Sequence, residues 1–207
     1  MTLYQPEMTL REARVQYFAQ NSFGEDGGYG DKWVKIQFGP IPIFFPNIPS
    51  RASAVRYHDL HHILTEYETT LKGEAEIAAW EVATGALPNF AGWFLDLGGF
   101  AYGLLLYPRS MWRAFLRGRR SQSLYPTPFT DELLSRKVGE VRESLKLDQD
   151  SSPARLSEHL AFLKWSFLSG AVSLSVGALF WTPMTVLGLL SLVAGERWAV
   201  GGEEGRK

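Results

Sequence analysis

Within the five positions of the run HDLHH, three metal-competent side chains, His58, Asp59 and His62, have spacings that can share one helix face. On a helix, residues four apart stack on one face and a residue three apart lies beside them. His58 and His62 therefore point the same way, and Asp59 borders that face. Neutral imidazoles with a carboxylate suit Zn²⁺, and with more oxygen ligands Fe²⁺ or Mn²⁺. A fourth group must close a structural zinc site, or a water must keep a catalytic one open. Glu74 follows Gly73 at the head of the next apolar run, GEAEIAAWEVATG. Two antiparallel helices joined by a short turn would bring it opposite the histidines. The competing reading is a set of ordinary core and surface side chains. Against that, three of the four histidines of the chain lie in this one pentapeptide.

The supporting elements follow from local pattern. Thr9 and Glu12 match a capping box, which predicts a helix to about Gln20. The glycine-rich run 21–30 reads as a turn, because it lacks the strand, helix and lysine of a phosphate loop. Trp33–Phe38 alternates like a short strand, and the proline-rich 39–49 is extended, the second arm of a small hairpin. That arm is either a strap over the core or the lip of a lipid groove. Ser50 is expected to cap the motif helix, which should run to about Tyr67. A turn at 68–72 leads to a helix over 73–84, ended by Gly85 and Pro88. Glu81 shares a face with Glu74, seven residues on. It is either an acceptor for an imidazole N–H in the second shell of the site or a solvated surface carboxylate.

Phe90–Tyr107 is apolar apart from Asp96, and its four glycines suit a buried core helix. A lipid-facing groove is the alternative, with Trp80, Phe90, Phe94 and Phe100 as its lipid-binding side chains. Asp96 in such surroundings needs a partner, and is a reserve metal ligand. Arg109, Arg113, Arg117 and Arg120 recur at helical spacing. They suit an anionic lipid surface, RNA, or simply a solvated face. Thr130 should cap a helix to about Leu147. The run DQDSSP at 148–153 is the clearest boundary in the chain.

Residues 165–195 carry no charge. As one helix they would run about 46 Å, longer than a hydrocarbon core of about 30 Å. Pro183 is expected to split them into two short helices, and Trp165, Trp181 and Trp198 stand at the ends, as membrane interfaces select. The expected fold class is thus mainly α. Residues 1–147 would form a helical metal-binding domain with its small N-terminal hairpin. Residues 153–200 would form a hydrophobic helical hairpin anchoring the protein in a membrane over 165–198, or else packing on the main domain.

Composition limits the chemistry. The chain has 207 residues, 45% hydrophobic and 21% charged, enough for a domain with an appendage. A formal charge of −1 gives no global pull toward nucleic acid. With no cysteine, thiolate metal sites, disulfides and a cysteine nucleophile are excluded. Residues 1–20 lack the apolar core of a signal peptide, so the N-terminus is expected to stay in the cytoplasm.

The spacing His58-Asp59-x-x-His62, eleven residues, Glu74 resembles the HDxxH-x11-E signature of the coenzyme Q biosynthesis protein 4 family. Gly73-Glu74, an apolar helix, Glu81 and a Gly-x-Leu-Pro turn at 85–88 continue in similar order, so the likeness covers roughly residues 50–145. The uncharged C-terminal part departs from the family's usual pattern. The resemblance implies a largely helical, membrane-associated protein whose His58, Asp59, His62 and Glu74 hold a divalent metal, taken to be zinc. It also implies oxidative removal of the ring carboxyl at C1 of a polyprenylated ubiquinone precursor. Partners would be a polyprenyl lipid or quinone precursor, the membrane and other quinone-biosynthesis enzymes. Zinc has no redox chemistry of its own, so that reaction calls for iron or an external oxidant. Two further classes remain. One is a non-catalytic lipid-binding scaffold with a structural metal site. The other is an HD-type metal phosphohydrolase, weakened because the one remaining histidine, His159, lies beyond the DQDSSP boundary.

Overall fold

The computed structural model describes residues 3–38, 41–85, 90–147 and 152–193, with the backbone alone over 34–38, 41–45 and 180–193. The protein is mainly helical. Helix α1 (Leu10–Asn21) starts at the capping box read from sequence. The Thr9 hydroxyl accepts the Glu12 N–H, and the Glu12 carboxylate accepts the Thr9 N–H at 2.8 Å. Strands β1 (Trp33–Phe38) and β2 (Ile41–Pro46) pair antiparallel, from Trp33 opposite Pro46 to Phe38 opposite Ile41.

Helix α2 (Pro49–Thr65) carries the histidines. It begins at Pro49 rather than at a Ser50 cap, because proline's fixed φ and missing N–H suit the first helical position. It ends where Glu66 takes a left-handed conformation, φ 61°. Two arginines from distant elements then occupy its terminal carbonyls. Arg142 donates to Leu64 O at 2.9 Å and Ile63 O at 3.0 Å, and Arg117 donates to Thr65 O at 2.8 Å. These are the orphan acceptors at the negative end of a helix, where cations are favoured.

Helix α3 (Leu71–Thr84) starts two residues earlier than expected, because Thr70 is its N-cap and accepts the Gly73 N–H at 3.2 Å. A β-carbon at Gly73 would stand 2.0 Å from Glu68 O, so the turn can fold back on α3 only over a glycine. Helices α4 (Phe90–Leu106) and α5 (Pro108–Arg119) flank α3. Gly118 lets α5 approach closely, since a β-carbon there would lie 2.5 Å from Trp80 O. The expected helix from Thr130 to Leu147 is two shorter ones, α6 (Asp131–Ser135) and α7 (Val138–Ser144). The break arises because the backbone at Arg136 and Val138 bonds instead to residues 8–10, with Leu10 N–H to Arg136 O at 2.9 Å and Val138 N–H to Met8 O at 2.8 Å.

Two apolar clusters form the core. One gathers α1, α2, α6 and α7 around Tyr17, Leu60, Ile63, Trp80 and Leu134. The other joins α3, α4 and α5 through Ala79, Val82, Phe100, Met111 and Phe115. The C-terminal segment corrects the expected hairpin, being one helix, α8 (Leu156–Val193), that continues through Pro183. A proline costs the ladder about 3 kcal/mol but does not reverse the chain by itself. Reversal needs turn-forming residues, and no Gly, Asn or Asp stands between 181 and 187. The first part of α8 packs on α4 and α5. Phe162 meets Phe100 and Phe115 edge-on, Trp165 stacks on Trp93, and Arg120 pairs with Glu158 at 2.9 Å. The 24-residue stretch Leu156–Leu179 is long and apolar enough to cross a membrane, and little of it is buried by the other described residues. The expected turn at 85–88, the DQDSSP boundary and Trp198 fall wholly or partly outside the described residues.

Candidate metal centre

Helices α2 and α3 bring His58, His62 and Glu74 to one point. His58 Nε2 lies 3.1 Å from His62 Nε2 and 3.3 Å from a Glu74 carboxylate oxygen, and His62 Nε2 lies 3.4 Å from the other. Ligands bonded at about 2.0–2.1 Å in a tetrahedron stand about 3.3 Å apart. Each separation is close to that spacing, with the two Glu74 oxygens facing one imidazole each, and one donor atom from each of the three residues lies within 4.8 Å of the others.

The tautomers sharpen this. His62 Nδ1 lies 2.8 Å from Tyr67 O, a carbonyl that can only accept, so Nδ1 carries the proton. His58 Nδ1 lies 3.1 Å from the Glu81 carboxylate and donates to it. Both Nε2 atoms of the neutral rings are then bare lone pairs that face each other across 3.1 Å. Two acceptors hold that distance only with a cation between them, a proton or a metal ion. The electrostatics agree. Burial works against a charged His58, yet the Glu81 and Glu74 carboxylates hold its pKa well above the ordinary imidazole value. Burial alone would raise Glu74, but when that cation is a proton on Nε2 the hydrogen bonds it makes from His58 or His62 hold Glu74 far below the carboxylate range. Glu74 also sits in the first turn of α3, where the helix dipole favours an anion. Its side chain is 44% exposed, which leaves the site accessible from that side.

Behind His58 lies a second, drier layer. Glu81 is fully buried, and its two oxygens serve His58 at 3.1 Å and His61 at 2.6 Å. His61 is fixed in turn. Its Nε2 accepts the Leu124 N–H at 3.0 Å, so Nδ1 must be the donor to Glu81. Burial lowers the His61 pKa, consistent with a neutral ring. Asp96 lies beside Glu81, and burial followed by repulsion from Glu81 pushes its carboxyl well above the carboxylate range. One Asp96 oxygen, Oδ2, is buried with no hydrogen-bond partner. Donor atoms of His58, Glu81 and Asp96 all lie within 4.8 Å of one another.

The sequence reading thus meets a mixed outcome. His58, His62 and Glu74 converge as a potential metal-ligating group. Glu81 is an imidazole acceptor and not a surface carboxylate. Asp59 falls outside the group, because its Oδ2 accepts the Tyr29 hydroxyl at 2.6 Å. Adjacent helix residues diverge by about 100°, which turns Asp59 toward the 21–30 loop. Two of the lipid-binding candidates are core side chains. Trp80 is fully buried and donates to Ser121 Oγ at 2.9 Å, and Phe100 is fully buried and stacked on Phe115. Trp80 points toward α2, its ring edge-on to His61, and Phe100 points into the α3–α4–α5 packing. Phe90 and Phe94 occupy the exposed side of α4, at 77% and 44% accessibility. Arg117 and Arg120, expected on a lipid, RNA or solvent face, instead bind Thr65 O and Glu158. Sequence reasoning missed Tyr29, Tyr67 O, Arg142 and the Leu124 N–H. Only Tyr29, an aromatic set between Gly28 and Gly30, carried any local signal. No family model, curated protein or solved structure matches this chain.

Proposed function

We propose that this protein is a membrane-associated metalloprotein of ubiquinone or related prenyl-quinone biosynthesis, with a mononuclear centre on His58 Nε2, His62 Nε2 and Glu74. The observation that carries the metal centre is the opposed pair of imidazole lone pairs beside a carboxylate, each ring locked through its Nδ1–H. The donor set, two imidazoles and one carboxylate, fits Zn²⁺ and also Fe²⁺ or Mn²⁺. The pathway rests on the HDxxH-x11-E spacing alone.

A bound ion at this position would polarise a substrate oxygen or acidify a bound water, and iron would add the redox capacity that zinc lacks. Glu81 and Tyr67 O orient the two rings, and Glu74 keeps one flank of the site in reach of solvent. Three protein donors with a free position favour catalysis over a purely structural site. The substrate would be a ring carrying a polyprenyl tail, reached from the bilayer in which α8 anchors the protein on its cytoplasmic side. The test is deletion of the gene in its host, with quinones and their ring-carboxylated precursors quantified by mass spectrometry. Loss of quinone with accumulation of the carboxylated precursor, restored by the wild-type gene but not by Glu74→Gln, is expected. Unchanged quinone content would remove the pathway assignment, and rescue by Glu74→Gln would reassign the site to a structural role.

A further inference from the structure

We infer that His58 serves two alternative cation seats, and that the second, made by His58 Nδ1 and the carboxylates of Glu81 and Asp96, takes a harder divalent ion of the Mn²⁺ class. The inference stands apart from the quinone assignment and uses only the geometry around α2, α3 and α4.

The three donor atoms lie within 4.8 Å of one another, on side chains that pack against the core. Glu81 is fully buried and Asp96 is 4% exposed. Asp96 Oδ2 has no hydrogen-bond partner. A buried acceptor without a partner is costly, and two carboxyl groups packed together in a dry site need a positive charge or a proton between them. One Glu81 oxygen is committed to the His61 Nδ1–H, whose direction the Leu124 N–H dictates. The other oxygen is the one free to pass from the His58 N–H to an ion.

The imidazole of His58 couples the two seats. A neutral ring has a single lone pair in its plane to offer a metal. With the proton on Nδ1, Nε2 serves the seat shared with His62 and Glu74. With the ion at the second seat, Nδ1 gives up its proton and Nε2 carries one instead. That proton points at the bare His62 Nε2, 3.1 Å away, and makes a hydrogen bond of ordinary length. Either tautomer therefore satisfies the histidine pair, and one ion at a time is bound. The first seat offers two nitrogens and a carboxylate, the second one nitrogen and two carboxylates. Softer imidazole ligation favours Zn²⁺ at the first, and oxygen-rich ligation favours Mn²⁺ at the second.

The test measures Zn²⁺ and Mn²⁺ affinity and content on the full-length protein in detergent, for wild type, His62→Ala, Asp96→Asn and the double variant. His62→Ala should weaken Zn²⁺ by about tenfold or more while leaving Mn²⁺ within about twofold. Asp96→Asn should do the reverse, and the double variant should hold neither ion. Loss of both ions in His62→Ala, or an unchanged Mn²⁺ affinity in Asp96→Asn, would overturn the second seat and leave the first standing. Loss of Zn²⁺ in Asp96→Asn together with its retention in His62→Ala would overturn the first seat instead. A measurement on unmodified protein guards against misfolded variants: pulsed electron paramagnetic resonance of the Mn²⁺-loaded wild type should detect a single coordinated histidine nitrogen. Two coordinated nitrogens would place Mn²⁺ at the first seat and overturn the proposal.

Discussion

Helices α3 and α8 are both built mainly of apolar residues, and their surroundings are opposite. α3 is wrapped by α2, α4 and α5, and nearly every residue from Ala75 to Ala83 is buried. Its small residues let neighbours come close, and the enclosure holds Glu81 in a fully partnered position. α8 exposes Leu160, Leu163, Phe167, Leu174 and Leu179, and α4 likewise exposes Phe90, Phe94 and Leu105. Apolar character alone thus does not tell core from anchor. What separates them is the neighbours: the alanines of α3 lie against α4 and α5, whereas at Gly170 of α8, an equally small residue, nothing stands within 4 Å of where a β-carbon would go. An apolar face left bare over this length is a surface for lipid or for another protein.

The contrast can be broken most severely within one helix. Phe100→Ala removes a ring from the enclosed side of α4 and should cost about 4 kcal/mol. Phe94→Ala, on its open side, should stay within about 0.5 kcal/mol. Urea unfolding in detergent measures both, and equal costs would erase the distinction between the two sides. Next in size is Arg142→Ala, which strips the carbonyls of Ile63 and Leu64 and leaves Glu66 without its partner. A loss of about 3 kcal/mol is expected, with a metal affinity that falls as the end of α2 loosens.

The enclosed region should also respond to pH with a definite sign. In metal-free protein the folded pKa of His58 is raised, so its contribution is full below about 6.5 and fades as pH climbs through the folded value. Glu74 and Glu81 have lowered folded values, so theirs is full above about 4.5 and fades as pH falls. Metal-free protein should therefore be most stable near pH 5–6. Saturating Zn²⁺ should move the optimum upward, because an ion competes with protons for the same nitrogens. Thermal melts at pH 5.5 and 8.5, with and without chelator, test this, and a chelator-insensitive profile would contradict a metal centre. A smaller effect is expected of Tyr29→Phe, about 1 kcal/mol from one hydrogen bond. If it frees Asp59 to join the first seat, Zn²⁺ affinity should rise rather than fall. The smallest effect on stability belongs to α8. Phe167→Ser with Leu174→Ser should change unfolding by less than about 0.5 kcal/mol each, yet shift protein out of the carbonate-washed membrane fraction. Unchanged partitioning would point to a protein partner on that face.

Much of this was legible where the signal is local. The Thr9–Glu12 capping box, the i,i+4 histidines, the shared face of Glu74 and Glu81, and the long apolar C-terminal stretch each depend on a few neighbouring residues. The misses depend on contacts between distant ones. Asp59 is turned aside by Tyr29, thirty positions earlier. The Trp80 ring is buried against His61 of α2 and Ser121, and Arg117 leaves the basic face because α2 ends beneath it. The predicted 130–147 helix breaks on hydrogen bonds to residues 8–10, which no helical periodicity within that window encodes. Pro183 does not end α8 for another reason: no Gly, Asn or Asp between 181 and 187 accompanies it to turn the chain.

The turn over Gly73 makes the interval between His62 and Glu74 a ruler. Its eleven residues divide into the last turn of α2, the left-handed step and cap at 66–70, and the first turn of α3. One residue more or fewer within either helical part would swing the carboxylate by about 100° around its axis. The middle part has no slack either, because Glu68 O is already in contact with α3 where a β-carbon would go. The protein should accept inserted residues in the loop at 21–30 far more readily than anywhere between 63 and 73, although both are short polar connections by composition. Scanning single-residue insertions across both intervals would read the ruler directly, as metal content plotted against insertion site.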